Sequence, residues 1–481
     1  MDKAIRKAWI ASGCIFVLLF CSLTYIQFFD AKALADNPWN SRTLYENYGS
    51  QRGSIVVDGK EIASSIPSHN GYEYQRVYSD PYVYAPLTGY FSSIYGSTGL
   101  ENAMNDELSG NSDSQFYDRL AHLFTGGSAQ GATVELTIDS QLQTLAYQLL
   151  EGHKGAIVAL NPKTGEVLAM ATSPSYDPNL LSSAQNESVL AQYQKLNNDK
   201  SAPLYNRAIA GKTYAPGSTF KIIDAVAALE SGKYSAKSVI PNPQEYVLPG
   251  TNTALPNYVN GHCSSSQEAT IEWALAQSCN TPFAQIAIDL GQDTIARTAK
   301  NFGYQDDSLR IPLPVSESVF PSDLSDSTLA LSAIGQYDVR TTPLQVAMMS
   351  AAIANNGVQM KPNLIRSVKS HNLSSLYEFS AKELRTSTSP KISQQIRDWM
   401  VNDVDNGIAS GAAVSGVKVA GKTGTAETGV NGQNNSWFTG FAPADDPQVA
   451  LAVMYEDVST IEGAQLTAPA AKKLFEAVLN K

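Results

Sequence analysis

Charge is scarce in this chain. Asp, Glu, Lys and Arg make up 16% of its 481 residues, against about 25% in an ordinary soluble domain. That excludes a charge-rich cytosolic surface, so Ser, Thr, Asn, Gln and Tyr must carry the contact with water. The charge that is present is not basic. Thirty-four Lys and Arg against 45 Asp and Glu leave −11 at neutral pH, which argues against a nucleic-acid partner. Histidine is also thin, with five copies at no metal-binding spacing, so neither a metal site nor a cofactor is expected. Four cysteines are too few for a disulfide scaffold. Apolar residues are plentiful at 43%, enough to build cores and to exclude disorder. At about 100–200 residues per domain, the length fits two or three units.

One apolar run stands out. Residues 8–29 hold no charged side chain. As a helix rising about 1.5 Å per residue they reach about 33 Å, against a bilayer core of about 30 Å. Lys3, Arg6 and Lys7 precede the run and Asp30 follows it. The positive-inside rule then predicts a cytoplasmic N-terminus and an exported remainder on a single-pass anchor. Ala33-Leu34-Ala35 looks like a signal-peptide cleavage site. The run is longer than the about 7–15 residues of a signal core, which favours an uncleaved anchor. Cys14 and Cys21 fall in the run as apolar fillers. Cys263 and Cys279 fall in the exported part, where an oxidising compartment permits a disulfide; two buried free thiols are the alternative.

Beyond the anchor, the signals predict an α+β chain. Residues 52–63 resemble two short strands around the turn Asp58-Gly59. Residues 72–97, rich in Tyr, Ser, Pro and Gly, show no helical period, and 125–131 is a Gly-rich linker. Residues 133–139 alternate as a strand with Val134, Leu136 and Ile138 on one face. Asp139 or Ser140 caps a helix through Leu149 and Leu150. Asn161-Pro162-Lys163-Thr164-Gly165 joins a hairpin of 156–160 and 166–171. Helices are expected over 222–229, 342–355 and 469–479, and strands over 417–425, 436–441 and 449–455. Strands at both ends with helices between them predict one antiparallel sheet whose first and last segments meet.

The chemistry sits in three short motifs. Ser218-Thr219-Phe220-Lys221 follows Ala215-Pro216-Gly217 and leads into an apolar helix. Residues i and i+3 share a helix face, so Lys221 can stand beside the Ser218 hydroxyl. A serine needs such a base, and a lysine kept neutral by burial or by a second cation can serve. Alone the motif is weak. A second copy, Ser415-Gly416-Val417-Lys418, runs into a strand pattern that would part the two side chains. Ser-x-Asn occurs at Ser278-Cys279-Asn280 and again at Ser68, Ser109 and Ser370. Lys-Thr-Gly occurs at Lys422-Thr423-Gly424 and at Lys163-Thr164-Gly165. Order supplies the specificity: Ser218-x-x-Lys221, Ser278-x-Asn280 and Lys422-Thr423-Gly424 form the three-part signature of penicillin-recognising serine enzymes.

The surroundings resemble the class B penicillin-binding proteins. Asn161 to Met170 resembles the first hairpin of their catalytic domain. Asn206-Arg207-Ala208, Thr342-Pro343-Leu344-Gln345 and Trp437 to Pro443 resemble further family segments. The likeness is strong over 131–481, present at 52–63 and faint over 64–130. It implies an anchor and stub (1–30), an elongated pedestal (31–130) and a transpeptidase domain (131–481), an antiparallel sheet flanked by helices. It implies a peptidoglycan D,D-transpeptidase that forms an acyl-serine intermediate on stem peptides ending in D-alanyl-D-alanine and is acylated by β-lactams. Ser218 would be the nucleophile and Lys221 its base. Ser278 would relay a proton and Asn280 would bind the substrate peptide chain. Lys422 and Thr423 would hold the terminal carboxylate, and Gly424 would admit the substrate to the strand. The N–H groups of Ser218 and Thr425 would form the oxyanion hole. Trp437 is either a cleft wall or a core aromatic, and Asp224 is expected to be structural. A membrane glycan polymerase is the partner implied. A D,D-carboxypeptidase, a β-lactamase, and a sensor or scaffold of weak activity are the rival readings.

Overall fold

The computed structural model describes residues 3–30, 33–34, 48–115, 130–257, 263, 266–430 and 432–480. Ala35, Asn431 and positions 125–129 of the expected linker lie outside them. The chain opens with a helix, Lys3–Thr24, continued by a π-helical turn, Tyr25–Phe29, and none of its residues is buried. By length and composition this 27-residue segment is apolar enough to cross a membrane.

A six-stranded sheet comes next. Ile55–Val57 and Lys60–Pro67 pair antiparallel across the turn read from the sequence. Asp58 and Gly59 both take positive φ, +47° and +76°, as a two-residue type I′ hairpin requires. Tyr74–Tyr78 extends the sheet on one side. On the other side, Thr133–Leu136 pairs parallel to Ile55–Val57, followed by Ile365–Lys369 and Ser375–Glu378. The sheet therefore crosses the boundary expected near residue 130 and borrows strands from the distant catalytic half. Residues 72–97 hold a helix the sequence did not suggest, Pro81–Thr88. It starts on a proline, whose fixed φ suits the first helical turn, and eight residues are too short to display a period.

A buried ion cluster ties this half together. Glu101 receives Arg52 Nε at 3.0 Å and Arg76 Nε at 2.6 Å, with all three side chains at most 1% exposed. Arg52 also lies over the Phe91 ring at 4.0 Å. The two guanidinium groups hold the Glu101 carboxyl below its ordinary value although burial alone would raise it.

The second sheet has five antiparallel strands in the order Ala420–Glu427, Asn434–Ala442, Val449–Val458, Lys154–Leu160, Val167–Ser173. The first hairpin of this half does meet its last strand, from Ala450 opposite Leu160 to Glu456 opposite Lys154. Both faces are covered. Ala156, Val158, Ala450, Ala452 and Met454 join the core that holds the helix Pro343–Ala354. Ile157, Ala159, Leu451 and Val453 join the core of the helices Ser140–Leu149 and Thr460–Leu479. Alternation with two dry faces makes these strands continuous apolar runs. The last helix begins at Thr460, nine residues before the expected start, and carries Pro469 inside it. The carbonyl that Pro469 leaves without a helical donor belongs to Gln465, which is exposed to water.

Replacing Glu101 with Gln is expected to cost about 3–5 kcal/mol, because two buried guanidinium groups lose their counter-charge. Thermal unfolding of the full chain checks this. An unchanged melting temperature would contradict the role given to the cluster.

Candidate active site

The nucleophile turn is a 3-10 segment, Gly217–Phe220, that runs into the helix Lys221–Glu230. Ser218 is half-buried and Lys221 is completely buried. Gly217 sits at φ +54°, and a Cβ there would lie 2.5 Å from the Thr425 carbonyl oxygen. Gly424 is likewise pressed on this turn, its Cβ position being 2.9 Å from the Pro216 oxygen. The Lys-Thr-Gly strand, Ala420–Glu427, is thus docked edge-on against the residues flanking Ser218. The space where a Gly424 side chain would stand is filled by the nucleophile turn itself, which gives this glycine a packing role.

Lys221 joins the first motif to the second. Its Nζ donates to the Ser278 carbonyl oxygen at 2.8 Å and to Asn280 Oδ1 at 2.7 Å, with Ser278 Oγ at 3.5 Å. Burial pushes the Lys221 amine well below its ordinary value, and the neighbouring Lys422 charge adds to the effect. A neutral amine has two N–H donors and one lone pair. Two carbonyl acceptors use the donors and leave the lone pair for a proton from a hydroxyl.

Ser278 is held at φ +56°, a conformation rarely taken by non-glycine residues outside functional or tightly constrained sites. Several contacts fix it. Cys279 is bridged to Cys263, with Cα atoms 5.5 Å apart. Asn257 Oδ1 accepts from the N–H groups of Asn280 at 2.7 Å and Thr281 at 3.0 Å, capping the helix Asn280–Leu290 from outside. Asn280 Nδ2 donates to the Pro256 oxygen at 2.9 Å. Both ends of the Asn280 amide are therefore engaged within the protein.

Lys422 solves the burial problem differently. It faces Asp403 at 3.4 Å, with neither side chain exposed. Asp403 lies near the end of the helix Pro390–Asn406 and also accepts from the Ala409 N–H at 3.0 Å. Burial raises the Asp403 carboxyl to about 6. Burial also lowers the Lys422 amine, while Asp403 opposes that shift. Thr423 Oγ1 is buried without a protein partner. Strand alternation sends Lys422 and Thr423 to opposite faces of the sheet.

Trp437 is corrected from possible cleft wall to core brace. It is fully buried, donates from Nε1 to the Ala215 oxygen at 3.1 Å and meets Tyr214 edge-on. It steadies the approach to Ser218 and touches no open surface. The second Ser-x-x-Lys proves to be a turn closed between Val414 and Val417, not a strand, and its Lys418 pairs with Asp445 at the surface. Lys163 of the other Lys-Thr-Gly pairs with exposed Asp446. Sequence reasoning missed Asp403 and Asn257, which belong to no motif and reach the site only through the fold. A cavity of about 520 Å³ lies elsewhere, against Arg310, Lys361 and Tyr377, and contains no motif residue.

Asp403→Asn is expected to destabilise the protein by about 3–5 kcal/mol at pH 8, by leaving Lys422 unpaired. Because the folded protein holds the Asp403 proton more tightly than the unfolded chain, Asp403 contributes most stability at low pH and loses it as pH rises through about 6. Asn cannot titrate, so the penalty of the Asn variant should be larger at pH 5 than at pH 8, by the stability that native Asp403 gives up as it loses its proton. Melting curves at pH 5 and 8 check this, and equal penalties would contradict it.

Known proteins match along the whole chain. The penicillin binding protein transpeptidase domain matches residues 155–476, and the penicillin binding protein A dimerisation domain matches 52–134. The chain is 37% identical over 492 residues to a peptidoglycan D,D-transpeptidase, PbpA, of Mycolicibacterium smegmatis, covering all of both proteins. It is 36% identical to PbpA of Mycobacterium tuberculosis, covering 100% of this chain and 99% of the relative. The structure of penicillin-binding protein A from M. tuberculosis, as a ceftriaxone acyl-enzyme complex, superposes with a TM-score of 0.86 at 37% identity, covering 90% of this chain and 99% of that one. Its penicillin G acyl-enzyme gives 0.84 over 89% and 99%. With its three motifs gathered around a buried lysine pair, this chain belongs to the penicillin-binding protein transpeptidase family.

Proposed function

We infer that this chain is a peptidoglycan D,D-transpeptidase of cell-wall synthesis that works through an acyl-enzyme on Ser218 and is acylated there by β-lactams. The observation that carries the residue roles is the bonding of buried Lys221, whose two donors are spent on Ser278 and Asn280. Its free lone pair takes the Ser218 proton as Oγ attacks the carbonyl carbon of the penultimate D-alanine. The N–H groups of Ser218 and Thr425, brought together by the close packing at Gly217, stabilise the oxyanion. Ser278 passes the proton to the leaving nitrogen, the C–N bond breaks and D-alanine departs. An amine of a neighbouring stem then attacks the ester and returns Oγ to its starting state. Lys422 and Thr423 take the terminal carboxylate, with Asp403 as the standing counter-charge. Asn280 steers the peptide chain by exchanging its Pro256 bond for one to substrate. The N-terminal helix is a membrane anchor with Lys3, Arg6 and Lys7 on the cytoplasmic side. The anchor and pedestal are the surfaces for a membrane glycan polymerase.

Fluorescent penicillin should label the full chain with a long-lived adduct and leave Ser218→Ala unlabelled. Labelling of that variant would overturn the nucleophile. An adduct that forms and is quickly lost would indicate a β-lactamase. The Cys263–Cys279 bridge staples the loop carrying Ser278 and Asn280, so complete reduction should slow acylation. An unchanged acylation rate after reduction, verified by intact mass, would contradict that role.

A further inference from the structure

The helix behind the nucleophile carries one group that the reaction scheme leaves unused. Residues 222–228 of Lys221–Glu230 are all buried, and all are apolar except Asp224. Asp224 is completely buried, and neither carboxyl oxygen has a hydrogen-bond partner in the protein. An apolar side chain would occupy this place at lower cost, since burying an unpaired carboxyl is unfavourable. Among the other charges on this helix and the elements packed around it, Asp289 and Arg297 are exposed and Glu272 is partly exposed. Glu230 accepts from Thr388 Oγ1 at 2.7 Å, and Arg397, its side chain 16% exposed, lies 3.9 Å from the Asp398 carboxylate. The completely buried ionisable groups here are Lys221, Lys422, Asp403 and Asp224. Lys422 and Asp403 face one another, which leaves Lys221 and Asp224, three residues apart on one helix.

We propose that Asp224 is a positioning residue for acylation, the counter-group that sets the proton balance of Lys221 from behind the cleft. This rests on the reading of Lys221 as the base. The two groups share one proton. With it on Asp224, Lys221 is the free amine and Asp224 a neutral acid; with it on Lys221, they are an ammonium and a carboxylate. Neither form adds net charge to the dry interior, so Lys221 can change state without the full cost of charging an isolated buried group. The exchange is an equilibrium and needs no direct bond between them. The electrostatics agree in direction. Burial and Lys422 depress the Lys221 amine, whereas Asp224 and Asp403 raise it. Burial lifts the Asp224 carboxyl well above its ordinary range, and Lys221 is the charge that opposes this. Asp224 touches neither Ser218 nor substrate and acts only through Lys221.

The test is the pH profile of the acylation rate constant with fluorescent penicillin for full-length wild type, Asp224→Asn and Asp224→Leu, with melting temperatures. Removing Asp224 takes away a group that raises the Lys221 amine. The acid limb should move to lower pH by about one unit, and the plateau should fall about threefold or more because the base is weaker. The Asp403 step near pH 6 is common to all three proteins. The melting temperature should hold or rise, since an unpartnered buried carboxyl is gone. Superimposable profiles would overturn the proposal. So would a slower rate with a lowered melting temperature and an unmoved limb, the mark of a purely structural residue. If wild type is not labelled at any pH, it is the inferred function that fails instead.

Discussion

Two lysines are fully buried within one catalytic cleft, and water is not available to solvate either. A buried ammonium needs a counter-charge or must give up its proton. The protein uses both solutions. Lys422 meets Asp403 across the strand–helix junction, a setting that suits a fixed cation. Lys221 meets carbonyl-type acceptors and the repulsion of Lys422, a setting that suits the proposed base. The same constraint therefore yields one group suited to hold a carboxylate and one suited to take a proton. Neither property belongs to a lysine in water.

The scaffold exists to enforce that proximity. The Lys-Thr-Gly strand is the edge of a sheet whose two faces are both buried, so its position is fixed by five strands of register. Its free edge can dock on the nucleophile turn only because positions 217 and 424 lack a Cβ. Trp437, opposite Gly424 in the next strand, reaches across to Ala215 and locks the turn from the core side. The disulfide and the Asn257 cap then hold Ser278 in a conformation that the chain would otherwise leave. Precision here comes from rigid neighbours of the reacting groups as much as from the groups themselves.

Much of this was legible in the amino-acid sequence. The three motifs, their order and the hairpin around Gly165 follow from local patterns, because each depends on neighbours in the chain. The pairing of that hairpin with the last strand was read instead from the order of elements, strands at both ends with helices between. Asp403 and Asn257 were not legible, since their roles depend on where a helix end and a loop arrive in space. Trp437 was ambiguous because an aromatic on a strand has two faces to choose from, and only the packing decides between them. The six-stranded sheet was hidden for a related reason: Ile365–Lys369 joins Thr133–Leu136 across more than two hundred residues. Pro81 and Pro469 concealed helix, the first by making it short and the second by sitting where an exposed carbonyl makes the lost bond tolerable.

The account rests on Lys221 being an amine while Lys422 is an ammonium. NMR of the full chain in detergent, with lysine labelled at Cε and the two signals assigned through Lys221→Met and Lys422→Met, measures this directly. One buried lysine should show the free-amine shift at neutral pH, lost in Lys221→Met, and the other the ammonium shift. Two ammonium signals at neutral pH would contradict the account.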